Sequence, residues 1–304
     1  MKMITIPTKR LKIGTAEDEQ IKTGCHVFLF PEGANASVDI RGGAPGTRET
    51  ALLGPDFMVE QIHGLVFTGG SAFGLAAADG VMRYLHEKQI GFKAGTHIVP
   101  IVPAAVIFDL DKGKFGYPVA DMGYRAAQSA SQMIRVGKTG SGIGATVGKA
   151  FGMEYSMDGG FGTYLHPIRE DVWVMAFATV NALGDIWDSK TGKIIAGARN
   201  KDGSFFNTQS QFLSGHFGSP ISSNNTTLVL VVTNAKLSKT QLSRVAKIAQ
   251  NGIGRAIRPS HTMFDGDIVF AVSTAEKEMK MDVSLIGECA AFSVEQAILS
   301  AVLS

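Results

Sequence analysis

Cysteine is nearly absent from this chain of 304 residues. The two present, Cys25 and Cys289, are too few for a disulfide framework, and neither sits in a metal-type or redox pair. Free buried thiols in a reducing compartment are the expected state. An excess of one charge is missing too: 29 basic and 27 acidic residues leave a formal net charge of +2, spread without long runs. That is not the electrostatic footprint of a nucleic-acid binder. The seven histidines are scattered, so no compact histidine cluster points to a metal. The opening MKMITIPTKRLKIG has no apolar stretch of about 7–15 residues, so no cleaved secretory signal is expected. No run approaches the ~18 apolar residues of a membrane span. These absences lead to an expectation of a cytoplasmic protein with no cofactor, no nucleic-acid partner and no membrane partner.

Apolar residues, in contrast, make up 45% of the chain and charged ones only 18%, which excludes disorder and leaves enough apolar surface for a sizeable core. Glycine is abundant, 36 residues against a usual share of about 7%, and it clusters in turns rather than repeats. Val27–Phe30, Leu65–Thr68, Trp173–Val180, Leu228–Thr233 and Ile268–Val272 are short apolar runs, mostly rich in β-branched or aromatic residues, and read as strands. Some are almost continuously hydrophobic, as suits strands covered on both faces. Helical periodicity alternates with them. It spans Ser238–Ile257, with Ser238 as N-cap and Pro259 closing the segment, then Ala76–Tyr84 and roughly Gly287–Leu303. Residues 200–225 are polar and rich in Ser, Asn and Gly, which predicts a long exposed loop or linker.

Where that linker meets the apolar run 228–233 the sequence reads Asn224-Asn225-Thr226-Thr227. A threonine hydroxyl placed there can attack the carbonyl of the preceding residue if the peptide is strained. An N-to-O acyl shift followed by hydrolysis would leave Thr226 as a new N-terminus. Its α-amine, with an ordinary pKa of about 7.7–8.0, would serve as the base for its own hydroxyl. Taken locally, a plain loop-to-strand junction accounts for the same residues. Phe264-Asp265-Gly266-Asp267 precedes the last strand. If strand geometry extends back, both carboxylates face one side and can orient a hydroxyl and an ammonium group, or share a proton. A solvated Asp-Gly turn is the alternative. Gly140, Gly142 and Ala145 satisfy a dinucleotide-type spacing, but the preceding MIRVGKTG is a poor central strand. The P-loop pattern fails because Ala150 follows Lys149. A tight backbone path past a pocket, with Lys149 at its edge, is the better reading. Arg41-Gly-Gly-Ala-Pro-Gly-Thr-Arg-Glu-Thr50, Thr68-Gly-Gly-Ser-Ala-Phe-Gly74 and Val99-Pro-Ile-Val-Pro103 read locally as structural glycine and proline.

Together, and in this order, these segments resemble the DmpA-type aminopeptidase family, which includes β-peptidyl aminopeptidases and nylon-oligomer hydrolases. Gly144-Ala-Thr-Val-Gly-Lys149, Val180-Asn-Ala-Leu-Gly-Asp185, Asn225-Thr-Thr-Leu228 and Phe264-Asp-Gly-Asp267 carry much of the likeness. The resemblance implies an α/β fold, a four-layer α-β-β-α sandwich of the DmpA and ornithine acetyltransferase type, with residues 1–304 forming one catalytic domain. It implies maturation into 1–225 and 226–304 within a homo-oligomer, a tetramer being favoured, and a small peptide or amide substrate. Asn225-Thr226 and the Asp-Gly-Asp match the threonine subgroup; the serine enzymes carry a Ser-x-Glu pair instead. By that resemblance Thr226 is the nucleophile, Asn181 donates to the oxyanion and Lys149 tunes the nucleophile's proton. Asp265 and Asp267 would hold the Thr226 hydroxyl and amine and bind a substrate's amino group. Two alternatives remain at this level: an acyltransferase of the ornithine acetyltransferase type, and an uncleaved, non-catalytic binding scaffold.

Overall fold

All five apolar runs become strands of one nine-stranded sheet. In this computed structural model the structure describes residues 3–169, 171–216, 225–278 and 281–304. The sheet's members are β1 (Lys12–Asp18), β2 (Thr23–Ile40), β3 (Thr47–Arg48), β4 (Gln61–Thr68), β5 (Ala104–Val106), β6 (Gly160–Arg169), β7 (Val172–Asn181), β8 (Thr226–Ala235) and β9 (Ile268–Lys277). Neighbours run β6-β7-β8-β9-β2-β4-β5-β3, with β1 also pairing with β2. The pairs β8–β9 and β4–β5 are parallel and the others antiparallel. β2 joins the two halves of the sheet. Residues 23–29 pair with β1, residues 35–40 pair with β9, and the register against β4 shifts between Leu29 and Ala34. That break in pairing separates the stretch of β2 that pairs with β1 from the stretch that pairs with β9.

Side-chain alternation shows the layering. In β8, Val229 and Val231 join one apolar cluster while Leu228, Leu230 and Val232 join a second. In β2, Phe28 and Phe30 belong to that second cluster, and Val27 and Leu29 to a third. The second cluster therefore lies between the two halves of the sheet, where Phe28 meets Phe177 (ring centroids 5.4 Å apart) and Phe67 meets Phe270 (6.1 Å). The first cluster is covered by helices α4 (Lys239–Ala256) and α5 (Val283–Val302), the third by α1 (Ala77–Glu87) and α2 (Ala120–Gln128); α3 (Thr208–Leu213) is a short helix in the linker. The result is helix, sheet, sheet and helix, as the resemblance implied. Because a one-residue slip would exchange the two faces of β8, burial on both sides fixes its register, and with it the position of Thr226.

Two helices differ from expectation at one end each: α1 runs past Tyr84 to Glu87, and α5 starts early. Ser238 caps α4 in a capping box with Gln241, as its position suggested. α5 begins at Val283 rather than Gly287, because Asp282 Oδ1 accepts the Ser284 N–H at 2.7 Å. Contrary to the expectation that no segment suits a membrane, α5 is long and apolar enough to cross one by length and composition. Here Ile286, Ala290, Val294 and Ile298 are buried in the core it shares with α4 and β7. The linker is not wholly irregular: α3 is tied down by buried Asp185, which accepts from Thr208 N at 2.6 Å and Thr208 Oγ1 at 2.9 Å. Residues 217–224 of that linker, including Asn224, lie outside the described residues.

Candidate active site

The sheet topology gathers the residues that the sequence set far apart. β7 runs antiparallel to β8, so its last residue, Asn181, lies opposite the first residue of β8, Thr226. β9 runs parallel to β8, so both start at the same edge, and Asn225 forms an isolated parallel bridge with Asp265. The glycine-rich segment then lays Lys149 alongside. Its backbone N–H donates to Leu183 O at 3.0 Å, and Lys149 Nζ donates to Asn181 Oδ1 at 2.8 Å and Asn181 O at 3.1 Å. All five singled-out side chains thus meet at one end of the sandwich. Thr226, Asn181, Asp265 and Asp267 are 5%, 0%, 2% and 1% exposed, which rules out the solvated Asp-Gly turn.

Their contacts in the continuous chain differ in detail from the implied roles. The Thr226 hydroxyl donates to Asn225 O at 2.5 Å, and the Gly266 N–H donates to the same oxygen at 2.8 Å. Asp267 Oδ1 accepts from the N–H of Thr227, the next residue, at 2.8 Å, while Oδ2 accepts from His261 N at 3.0 Å. His261 Nδ1 also lies 3.0 Å from Oδ2, but off the direction of a hydrogen bond. Asp265 Oδ2 accepts from Thr262 N at 2.9 Å and Thr262 Oγ1 at 2.6 Å. Asn181 Nδ2 donates to Phe108 O at 3.2 Å, and its Oδ1 accepts from Thr146 N at 3.0 Å as well as from Lys149.

Burial sets the proton chemistry. It pushes the Lys149 amine down to about 7, opposed by the negative charge of Asp265. Burial, and next the neighbouring Asp267 carboxylate, pushes Asp265 up to about 6. The half-buried Lys149 amine and the buried Asp265 carboxyl are thus both shifted toward neutrality, as suits groups that hold or pass a proton.

Two sequence features acquire a purpose only here. Residues 41–46 strap the Asp-Gly-Asp segment: Arg41 N and Gly42 N donate to Asp267 O, and Ala44 N to Asp265 O. A Cβ at Gly42 would sit 2.3 Å from Asp265 O, so only glycine allows the strap to lie this close. The segment after Thr68 cradles Asp109, whose Oδ1 accepts the Gly70 N–H at 2.7 Å. Asp109 is absent from the sequence-derived candidates because nothing in Phe108-Asp109-Leu110 marks it locally. It lines, with Lys149, Lys112 and Thr146, a cavity of about 10 Å³, room for roughly one water. Burial pushes its carboxyl from 3.8 up to about 6, against the pull of the Thr23 hydroxyl and the Gly70 N–H. A carboxyl raised in the fold contributes stability that is complete below about pH 4 and is lost as pH rises through about 6. Asp109→Asn should therefore gain on the parent between pH 4 and 7, by on the order of 2 kcal/mol. Urea midpoints at the two pH values measure this, and a difference that does not change with pH would contradict the buried carboxylate.

Comparison with known proteins gives the family and the fold. The family model for peptidase family S58 matches residues 4–304. An uncharacterized aminopeptidase of Mycobacterium leprae is 39% identical over 305 residues, covering 92% of this chain and 82% of that protein. A 6-aminohexanoate-oligomer endohydrolase of Kocuria sp. is 31% identical over 278 residues, 88% of this chain and 74% of that protein. Among solved structures, the L-aminopeptidase D-Ala-esterase/amidase of Ochrobactrum anthropi, described as a new variant among the Ntn-hydrolase fold, superposes with a TM-score of 0.72 at 18% identity. That alignment covers 99% of this chain and 87% of that one. A Burkholderia sp. beta-aminopeptidase gives 0.69 at 19% identity, covering 97% and 84%. At such identities these two structures establish the fold, and the family rests on the sequence matches: the chain belongs to peptidase family S58.

Proposed function

We propose that this protein is a self-processing amidohydrolase of the N-terminal-nucleophile type, acting on small peptides or amides through Thr226. The observation that carries the reading is the Thr226 hydroxyl lying 2.5 Å from the carbonyl oxygen of its own preceding residue, within a buried cluster that includes Lys149 and Asn181. In the continuous chain the nucleophile is blocked by Asn225, and attack on that carbonyl is what would free it. Thr226 Oγ bonds to the Asn225 carbonyl carbon, the Asn225–Thr226 C–N bond breaks, and the proton passes to the released amine. Water then hydrolyses the ester, giving an Asn225 carboxylate and a free Thr226.

In turnover the neutral Thr226 amine takes the hydroxyl proton as Oγ attacks a substrate carbonyl. The proton goes on to the leaving amine, and water resolves the acyl-enzyme. Asn181 is the proposed oxyanion donor, once its Nδ2 is released from Phe108 O. Lys149, held near 7, steadies the proton balance at the nucleophile. Relatives named as aminopeptidases and as an oligomer endohydrolase of 6-aminohexanoate support an amide substrate. Homo-oligomer formation belongs to the same proposal. It is supported by highly exposed Met58, Phe115, Leu213 and Met263, and light scattering tests it.

Denaturing mass analysis of purified protein is the decisive test. Two pieces are expected, one ending at Asn225 and one beginning at Thr226. A single chain after prolonged incubation would sink the self-processing reading. Offering an aminoacyl anilide, then acetylornithine with glutamate, separates hydrolysis from acyl transfer. Release of anilide alone is the expected result.

A further inference from the structure

We infer that the main-chain N–H of Gly266 is the oxyanion donor of the self-cleavage step, a task distinct from the one proposed for Asn181 in substrate turnover. The inference rests on self-processing at Asn225–Thr226. Attack by Thr226 Oγ on the Asn225 carbonyl carbon turns Asn225 O into the developing oxyanion. Among the described residues two donors contact that oxygen: the Thr226 hydroxyl at 2.5 Å and the Gly266 N–H at 2.8 Å. The hydroxyl gives up its proton as it attacks, so its hydrogen bond is lost when charge builds. The Gly266 N–H keeps its proton throughout. It already lies within the 2.7–3.1 Å at which an oxyanion donor acts, and the carbonyl oxygen moves little as its carbon becomes tetrahedral.

The surroundings keep this donor in place before the reaction, so no reorganisation is needed during it. The Asn225–Asp265 bridge aligns the two backbones, and Asn225 Nδ2 donates to Phe264 O at 3.3 Å. Ala44 N on Asp265 O and Arg41 N on Asp267 O fix the residues on either side of Gly266. The residue type follows from the same closeness. A Cβ at position 266 would lie 2.6 Å from Thr226 Oγ1 and 2.9 Å from Ala44 O, so a side chain would push the attacking hydroxyl aside. Asn181 Nδ2, by comparison, donates to Phe108 O in the continuous chain.

Replacing Gly266 by glycolic acid through nonsense suppression exchanges its N–H for an ester oxygen and adds no side chain. The half-life of the 225/226 bond is then followed by intact mass, with rates compared at equal folded fraction by near-UV circular dichroism. Cleavage is expected to slow by about 10²–10³-fold, the usual cost of losing one such donor. Glycolic acid at position 42 is the control, since it deletes a neighbouring backbone bond (Gly42 N to Asp267 O, 3.2 Å) that does not touch the reacting carbonyl. It should alter the rate by less than about threefold against the slowing expected at 266. Equal rates for the 266 variant and the parent, or equal slowing at 42 and 266, would overturn the assignment. Gly266→Ala, which keeps the N–H but crowds Thr226 Oγ, should slow cleavage at least about tenfold, the kinetic equivalent of ~1.4 kcal/mol of barrier. Parent-like cleavage there would refute the geometry itself. A parent protein that never cleaves would instead remove the proposal of self-processing.

Discussion

Thr226→Ala should leave the chain uncut and reduce amide hydrolysis by on the order of 10⁶-fold, the scale of removing a nucleophile from a serine hydrolase. Two separate losses converge in this variant. Without the hydroxyl nothing attacks the Asn225 carbonyl, so the α-amine proposed as base never forms. Even in a chain cut by other means, no group remains to carry the acyl intermediate. The fold should survive, because the hydroxyl's partner, Asn225 O, keeps its bond from the Gly266 N–H. The rest of β8, from Leu228 to Val232, stays packed in two cores. Intact mass, anilide release and a thermal melt read these three outcomes separately. Thr226→Ser, which retains a hydroxyl, should still be processed. Unaided cutting of the alanine variant at 225/226 would show that the mechanism is wrong.

Asn181→Ala should lower kcat by about 10²–10³-fold, the effect of deleting an oxyanion donor. The side chain also ties β7 to two other segments: it bonds Lys149 Nζ and Thr146 N in the glycine-rich segment, and Phe108 O. Truncation leaves the buried Thr146 N–H short of a partner, at about 1–3 kcal/mol, and removes one bond of the Lys149 amine, whose bond to the Asn181 carbonyl remains. A lower melting temperature is therefore expected alongside the kinetic loss, and the two must be separated. Asn181→Asp does so. It keeps an acceptor for Lys149 and Thr146 but cannot donate as Nδ2 does. If Asn181→Asp at equal folded fraction matches the parent in kcat, Asn181 serves only as a structural tie.

Much of the fold is legible in the chain itself. Runs such as 228–233 and 268–272 announce buried strands, because a strand with no polar alternation can leave neither face to water. Ser238 announces the start of α4 because an N-cap is a local arrangement. Asp282 is harder to recognise as the cap of α5, since the apolar stripe becomes clear only further along the helix. The candidate site is legible in a different way. Thr226, the Asp265–Asp267 pair and Lys149 stand out in their own segments, Asn181 enters only through the family resemblance, and the fold brings all five to one end. Asp109 does not, because its cradle is assembled from residues far away in the chain, at Gly70 and Thr23.

The sequence by itself determined the alternation of strands and helices, the loop-to-strand junction at Asn225–Thr226 and the residue types able to act there, since these depend on local chemistry and short-range periodicity. Tertiary structure alone decided which partner each group has. It set the parallel pairing of β8 with β9 that puts the Gly266 N–H on the Asn225 carbonyl. It directed Asp267 to the N–H of Thr227 rather than to Thr226, and it desolvated the Lys149 amine enough to lower it to about 7. Such contacts depend on register and desolvation, which are properties of the packed sheet and are carried by no single segment of the chain.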